Sequence, residues 1–162
     1  MLSPFFYLKR KMFPILDKLF HNAKNLNQDT IWVMAIDEDV KREIIRLNTR
    51  DQLFDKGVDS LDRSLGVYSK TSVNKYGKRP GRIQLFDSGE FYKSFRVLVD
   101  ADGLVIFANA LKVGDNGVDD LAVKYGIDII GVTESNQEEL IKKYVKPKYI
   151  DAVINQLMMG VL

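Results

Sequence analysis

The 162-residue chain contains no cysteine. That excludes a disulfide framework and every cysteine-based zinc or iron–sulfur site. Histidine is almost as scarce. His21 stands alone, with no other ligand type spaced around it for a metal, and it reads as a surface or packing residue. Charge of one sign is missing too: the formal net charge is +2, too little to coat nucleic acid by bulk attraction. No run approaches the roughly 18 apolar residues of a membrane span. The N-terminal stretch "MLSPFFYLKRKMFPILDKLF" is interrupted by Lys9, Arg10 and Lys11 and lacks the small-residue cleavage site of a signal peptide. The chain is therefore read as soluble, without a membrane partner.

Phosphate-loop, calcium-loop and catalytic patterns are absent as well. "VGDNG" is followed by no G-K-[ST]. Asp59 and Asp62, or Asp115, Asp119 and Asp120, lack the spacing and closing glutamate of a calcium loop and read as turn and capping residues. No acid–base or metal constellation stands out. Neither an enzyme nor a cofactor is expected.

What is present is a succession of local patterns. Residues 1–26 read as an arm or amphipathic helix, with Phe13, Leu16 and Phe20 at helical spacing and a polar stretch, Asn22 to Asp29, behind them. Residues 27–162 read as one α+β domain. Its long central helix starts near Asp37 or Asp39, where acidic residues suit the helix dipole, and runs to about Phe54, with Gly57 as stop. Val40, Ile44 and Leu47 form its apolar face. A long polar segment follows, then "RIQLF" as a short strand. Asp87 and Glu90 have capping-box spacing for a helical turn through Lys93.

From Phe95 the period changes to two: Phe95, Val97 and Val99 face one way, and Arg96, Leu98 and Asp100 the other. With "DADG" as turn and Leu104, Ile106 and Ala108 alternating beyond it, this predicts an antiparallel hairpin. "DNGVDDLAVKYG" suggests a short helix. Ser135 and Glu138 suggest a capping box for a C-terminal helix with Leu140, Ile141, Tyr144 and Val145 as its stripe. Pro147 would kink or restart it, with Ile150, Val153, Ile154 and Leu157 beyond. The hairpin would pack against the central and C-terminal helices.

Two surfaces are candidates for contact. Lys70, Lys75, Lys78, Arg79 and Arg82, with Tyr76 among them, form a basic loop that would face DNA phosphates or an acidic protein. The aromatic arm (Phe5, Phe6, Tyr7, Phe13, Phe20) and the apolar C-terminus (Met158, Leu162) would dock onto other subunits or cover the chain's own core.

Two segments carry a resemblance. "GVDSLDRSLGVYS" resembles a pattern G-x-D-x-x-G-x-P-L-x-P-[LY]-S, matching at Gly57, Asp59, Leu65, Tyr68 and Ser69, with Thr71 close behind. "LFDSGEFYKSF" resembles L-x-x-[TS]-G-x-[LF]-x-x-S-[IF], matching at Leu85, Ser88, Gly89, Phe91, Ser94 and Phe95, with a hairpin next. Both are similar to segments of the head–tail joining, neck and tail-completion proteins of tailed bacteriophages. Asp62 stands where that pattern has a turn glycine, and Ser64 and Val67 where it has prolines. The resemblance implies a non-enzymatic virion protein, a homo-oligomeric ring bridging portal-side and tail proteins, assembled in the host cytoplasm. Non-specific contact with DNA in a channel would follow. Residues Leu85 to Phe95, with Asp87 as cap, would be a rigid structural corner. The alternative is a small nucleic-acid-binding module using residues 70–82.

Overall fold

The computed structural model describes residues 14–114 and 117–161. The fold is α+β. In chain order it comprises α1 (Pro14–Lys24), α2 (Gln28–Ala35), α3 (Glu38–Arg46, prolonged by π-helical turns over Leu47–Lys56) and α4 (Lys70–Tyr76). The short α5 (Glu90–Lys93) precedes a hairpin of β1 (Arg96–Asp100) and β2 (Gly103–Phe107). A second hairpin, β3 (Leu111–Gly114) with β4 (Gly117–Asp120), leads to α6 (Leu121–Tyr125), a 3₁₀ turn (Ile127–Ile129) and α7 (Glu134–Leu140). Further π turns (Ile141–Val145) join α7 to α8 (Lys146–Met158).

The central helix begins where its acidic start predicts. Asp37 is the N-cap, its side chain accepting from the amides of Asp39 and Val40 at 3.1 Å. The same carboxylate takes an ion pair from Lys148, which ties α8 to the mouth of α3. Val40, Ile44 and Leu47 are buried as the 3.6-residue period requires. Beyond Leu47 the wider π turns break that period. Leu47, Asn48 and Thr49 are consecutively buried, and Gln52 and Leu53 follow them inward.

The two buried amides face the loop between the 3₁₀ turn and α7. Asn48 donates to Ile129 O at 3.2 Å and accepts from Gly131 N at 2.9 Å. Gln52 donates to Gly131 O at 3.0 Å and accepts from Thr133 N at 2.8 Å and from Asn136 Nδ2 at 3.1 Å. Thr133 in turn caps α7 through the amide of Asn136. The expected capping box at Ser135 is therefore displaced by two residues, because Thr133 has the extended backbone of a cap and Ser135 already lies inside the helix.

Two apolar clusters flank this polar seam. One joins Ile36, Val40, Ile44 and Leu47 with Val97, Val132, Leu140 and Val145. The other joins Leu53, Phe91, Phe95, Leu121 and Ile129. The β1–β2 hairpin lies between them, its Phe95 and Val97 side turned to the helices as the alternation predicts.

Other expectations are corrected. "RIQLF" forms no strand; it meets the preceding loop at a single bridge, Val67 with Arg82. "DNGVDDLAVKYG" divides into β4 and then α6, with Asp120 as N-cap. The stretch Asn22–Asp29 is helical on both sides of a short break at residues 25–27, and Asn22 donates to Leu157 O at 2.7 Å. Pro147 sits in the first turn of α8, so the α-helix restarts there after the π turns, as expected. Ile141, Ile150 and Ile154 are exposed, and Ala152 is the buried residue of α8.

Replacing Gln52 with Ala leaves a buried carbonyl, a buried N–H and the Asn136 amide without their partner. The expected loss is about 2–4 kcal/mol in urea denaturation, against less than about 0.5 kcal/mol for exposed Arg42→Ala. Equal midpoints for the two variants would refute the structural weight given to the seam.

Candidate functional site

The two segments that carry the resemblance are joined through residues 82–84 near the C-terminal end of the central helix, and Leu65 and Leu85 pack against the same apolar cluster. Gly57 ends that helix with φ +65, and an added Cβ would lie 2.8 Å from Ile83 O. Glycine is needed there for conformation and for space together. The chain then turns through Asp59, a buried carboxylate. Its Oδ1 accepts from the amides of Leu61 and Arg63 at 2.9 Å, and its Oδ2 binds Arg63 Nε at 2.7 Å. Arg63 continues to Asp128 at 2.5 Å, linking this turn to the loop that the Asn48–Gln52 seam also holds. Asp62, at the position of the pattern's glycine, has φ +58. It adopts the left-handed conformation that a glycine would take there, as aspartate does more readily than most residues.

The residue before the second segment ties it to the helix end. Gln84 Nε2 donates to Phe54 O at 2.9 Å, and the Tyr92 hydroxyl donates to Gln84 O. Burial pushes the Tyr92 phenol well above its ordinary range, so it stays a donor. Phe54, Phe86 and Tyr92 stack edge to face at centroid separations of 5.6 and 5.3 Å. Leu85 enters the corner at φ +52, an uncommon conformation for a bulky residue. Phe91 and Phe95 are buried, their rings 5.1 Å apart. Ser94 closes the corner: its hydroxyl donates to Phe91 O at 2.7 Å and accepts from Asn109 N at 2.9 Å. One side chain thus pins both the entry and the exit of the β1–β2 hairpin.

One part of the expected corner is corrected. Asp87 does not cap α5. Gly89, at φ +82, holds the cap position without a side-chain bond, and the Ser88 hydroxyl accepts from Glu90 N at 3.4 Å. Asp87 instead takes ion pairs from Lys112 at 2.6 Å and Lys78 at 2.7 Å. These two ammonium groups hold its carboxyl down at about 2.

The basic segment is in part helical. Residues 70–76 are helical, started by Ser69, whose hydroxyl accepts from Ser72 N at 3.1 Å. Lys78 is spent on Asp87, and Arg82 Nη1 donates to Asp55 O at 2.5 Å and Lys56 O at 3.3 Å, where a cation suits the end of the central helix. Lys70, Lys75 and Arg79 are exposed, with Tyr76 beside them and Lys75 Nζ 5.2 Å from the Tyr76 ring centre. Lys70, Lys75 and Arg79 thus have no ion-pair partner among the described residues, while Arg82 is exposed but bonded to the helix end and Lys78 is half-buried in its ion pair.

Of the proposed subunit contacts, Phe20 and Met158 are exposed on α1 and α8. Phe5, Phe6, Tyr7, Phe13 and Leu162 lie outside the described residues. A crevice of about 30 Å³ beside the corner is lined by Leu85, Asp87, Phe91, Leu111, Lys112 and Leu121, room for a water or two. Among the described residues no group of three or more metal-ligating side chains converges. No family model, no curated protein and no solved structure matches the chain.

Two measurements test the geometry. Gly57→Ala is expected to cost about 2–4 kcal/mol, combining strain with a clash against backbone, whereas Asp62→Gly should stay within about 0.5 kcal/mol of the parent. Equal losses would show that the turn at Asp62 lacks the conformation described. Asp87 should titrate at about 2 by NMR. Its depressed value contributes stability above the ordinary carboxylate range that is lost as pH falls through about 2, modestly because the group is half exposed. Lys112→Met should move that midpoint upward; an unmoved midpoint would remove the ion pair from the account.

Proposed function

We propose that this chain is a non-enzymatic structural protein of a tailed-phage virion, a ring-forming adaptor of the neck or tail junction. It would bridge portal-side and tail proteins and come together in the host cytoplasm. The observation that carries the reading is Asp62. Where the sequence departs from the family pattern by replacing a turn glycine, the backbone at Asp62 is left-handed, a conformation glycine adopts freely. The placement of both resembling segments against one apolar cluster adds support. They form one rigid corner, anchored by Gly57 and Ser94, that sets the direction in which the hairpin leaves the body. Exposed apolar side chains such as Phe20 and Met158 suit subunit contact.

A second reading rests on the cluster of Lys70, Lys75, Arg79 and Tyr76, which suits non-specific contact with phosphates and bases. Disrupting the gene in its phage is expected to leave DNA-filled heads and separate tails. Infectious joined particles in its absence would overturn the adaptor reading. Salt-dependent DNA binding by the isolated chain, abolished by neutralising the three cations, would favour the second reading instead.

A further inference from the structure

The β1–β2 hairpin is a two-stranded sheet among the described residues, so both its edges are open. Its two-residue turn is closed by the Asp100–Gly103 pair. In an antiparallel ladder, bonded and non-bonded pairs alternate, so Asp100, Leu98 and Arg96 direct their backbone groups toward β2. Val97 and Val99 direct theirs to the open edge of β1. Among the described residues neither valine makes a backbone bond outside the hairpin. Unpaired edge groups beside inward-facing valines, Val97 buried and Val99 half-buried, are a template for another strand.

The sequence of β1, Arg96-Val97-Leu98-Val99-Asp100, is complementary to itself when reversed. Antiparallel pairing about a two-fold axis through Leu98 sets Leu98 against Leu98 and Val97 against Val99. It also sets Arg96 against Asp100 twice. In that register the bonded pairs are Val97 with Val99, the residues whose N–H and C=O groups point outward. Arg96, Leu98 and Asp100 share the exposed face, where Leu98 is 61% and its partner Val105 on β2 is 59% exposed. Opposite charges and apolar pairs directly across an antiparallel ladder are the favourable cross-strand contacts. Arg96 and Asp100 have no ion-pair partner among the described residues. Arg96 Nη1 rests on the carbonyls of Lys93 and Phe95, and Asp100 Oδ1 accepts from the turn amides of Asp102 and Gly103. Each keeps further atoms for a partner.

We infer that β1 is a self-complementary dimerisation strand: two copies of this chain join edge to edge about Leu98 into a four-stranded sheet, β2–β1–β1–β2, closed by two Arg96–Asp100 pairs. The contact is isologous, so it ends with two chains and does not by itself propagate. It stands on the strand alone and holds whether or not the chain serves a virion.

The absence of cysteine makes the test direct. In the proposed register Leu98 forms a non-bonded pair, with its two Cα atoms about 4.5 Å apart, within disulfide reach. Leu98→Cys in the full chain should be trapped as a covalent dimer under mild oxidation. Val105→Cys, equally exposed on the same face, should not. Sedimentation equilibrium provides the second arm. Arg96→Glu and Leu98→Lys should each weaken association at least about tenfold, and Arg96→Glu/Asp100→Lys should restore it. Circular dichroism checks that each variant is folded. Monomeric wild-type chain at submillimolar concentration overturns the inference, as does equal cross-linking of the two thiols. An oligomer indifferent to both Arg96→Glu and Leu98→Lys does the same, even where it is a ring, as does a folded double variant that stays dissociated.

Discussion

The interaction on which the rest of the structure depends is the amide seam between the central helix and the loop before α7. Asn48 and Gln52 are fully buried and carry no charge, and each holds backbone groups that would otherwise be orphaned in an apolar setting. Through them residues 129–133 acquire a fixed path, Thr133 reaches its capping position, and α7 starts at a definite angle. The two apolar clusters then close on either side of a scaffold whose directional bonds are already satisfied.

The same helix organises the proposed adaptor surface from its other end. Gly57 reverses the chain, Arg82 covers the final carbonyls, and Gln84 bonds back to Phe54. The corner is thereby referred to the core by the helix end rather than by the loops around it. The hairpin, pinned at both ends by Ser94, is positioned with respect to the core although Leu98 and Val105 on its outer face stay exposed.

How much of this was legible in the sequence depends on period and on distance along the chain. The α+β class, the start of the central helix at Asp37, its face of Val40, Ile44 and Leu47, and the β1–β2 hairpin all follow from local rules. Asn48 and Gln52 were not legible as core residues, because polar side chains turn inward only where the π turns overrule the 3.6-residue period. Lys78 and Arg82 looked like free cations because their partners, Asp87 and the end of the central helix, are set by tertiary packing. For the same reason Asp87 resembled a cap. The sole signal for its real role was a carboxylate between two lysines that only the fold brings together. Asp62 was legible as a turn residue, but its left-handed backbone was not, because one sequence does not print a backbone angle.

The amide seam also determines when the chain can become a protein. Its bonds span 79 to 84 residues, from the central helix to the loop and to Asn136. Closing so long a loop is entropically costly, and nothing in the first half replaces those partners. During synthesis the central helix must therefore wait, its buried amides still hydrated, until residue 136 has cleared the ribosome. The β1–β2 hairpin is complete by then. The order of emergence leaves a ready-made edge strand exposed before the body that supports it has closed, so the nascent chain is most open to premature association in the interval between Phe107 and Asn136.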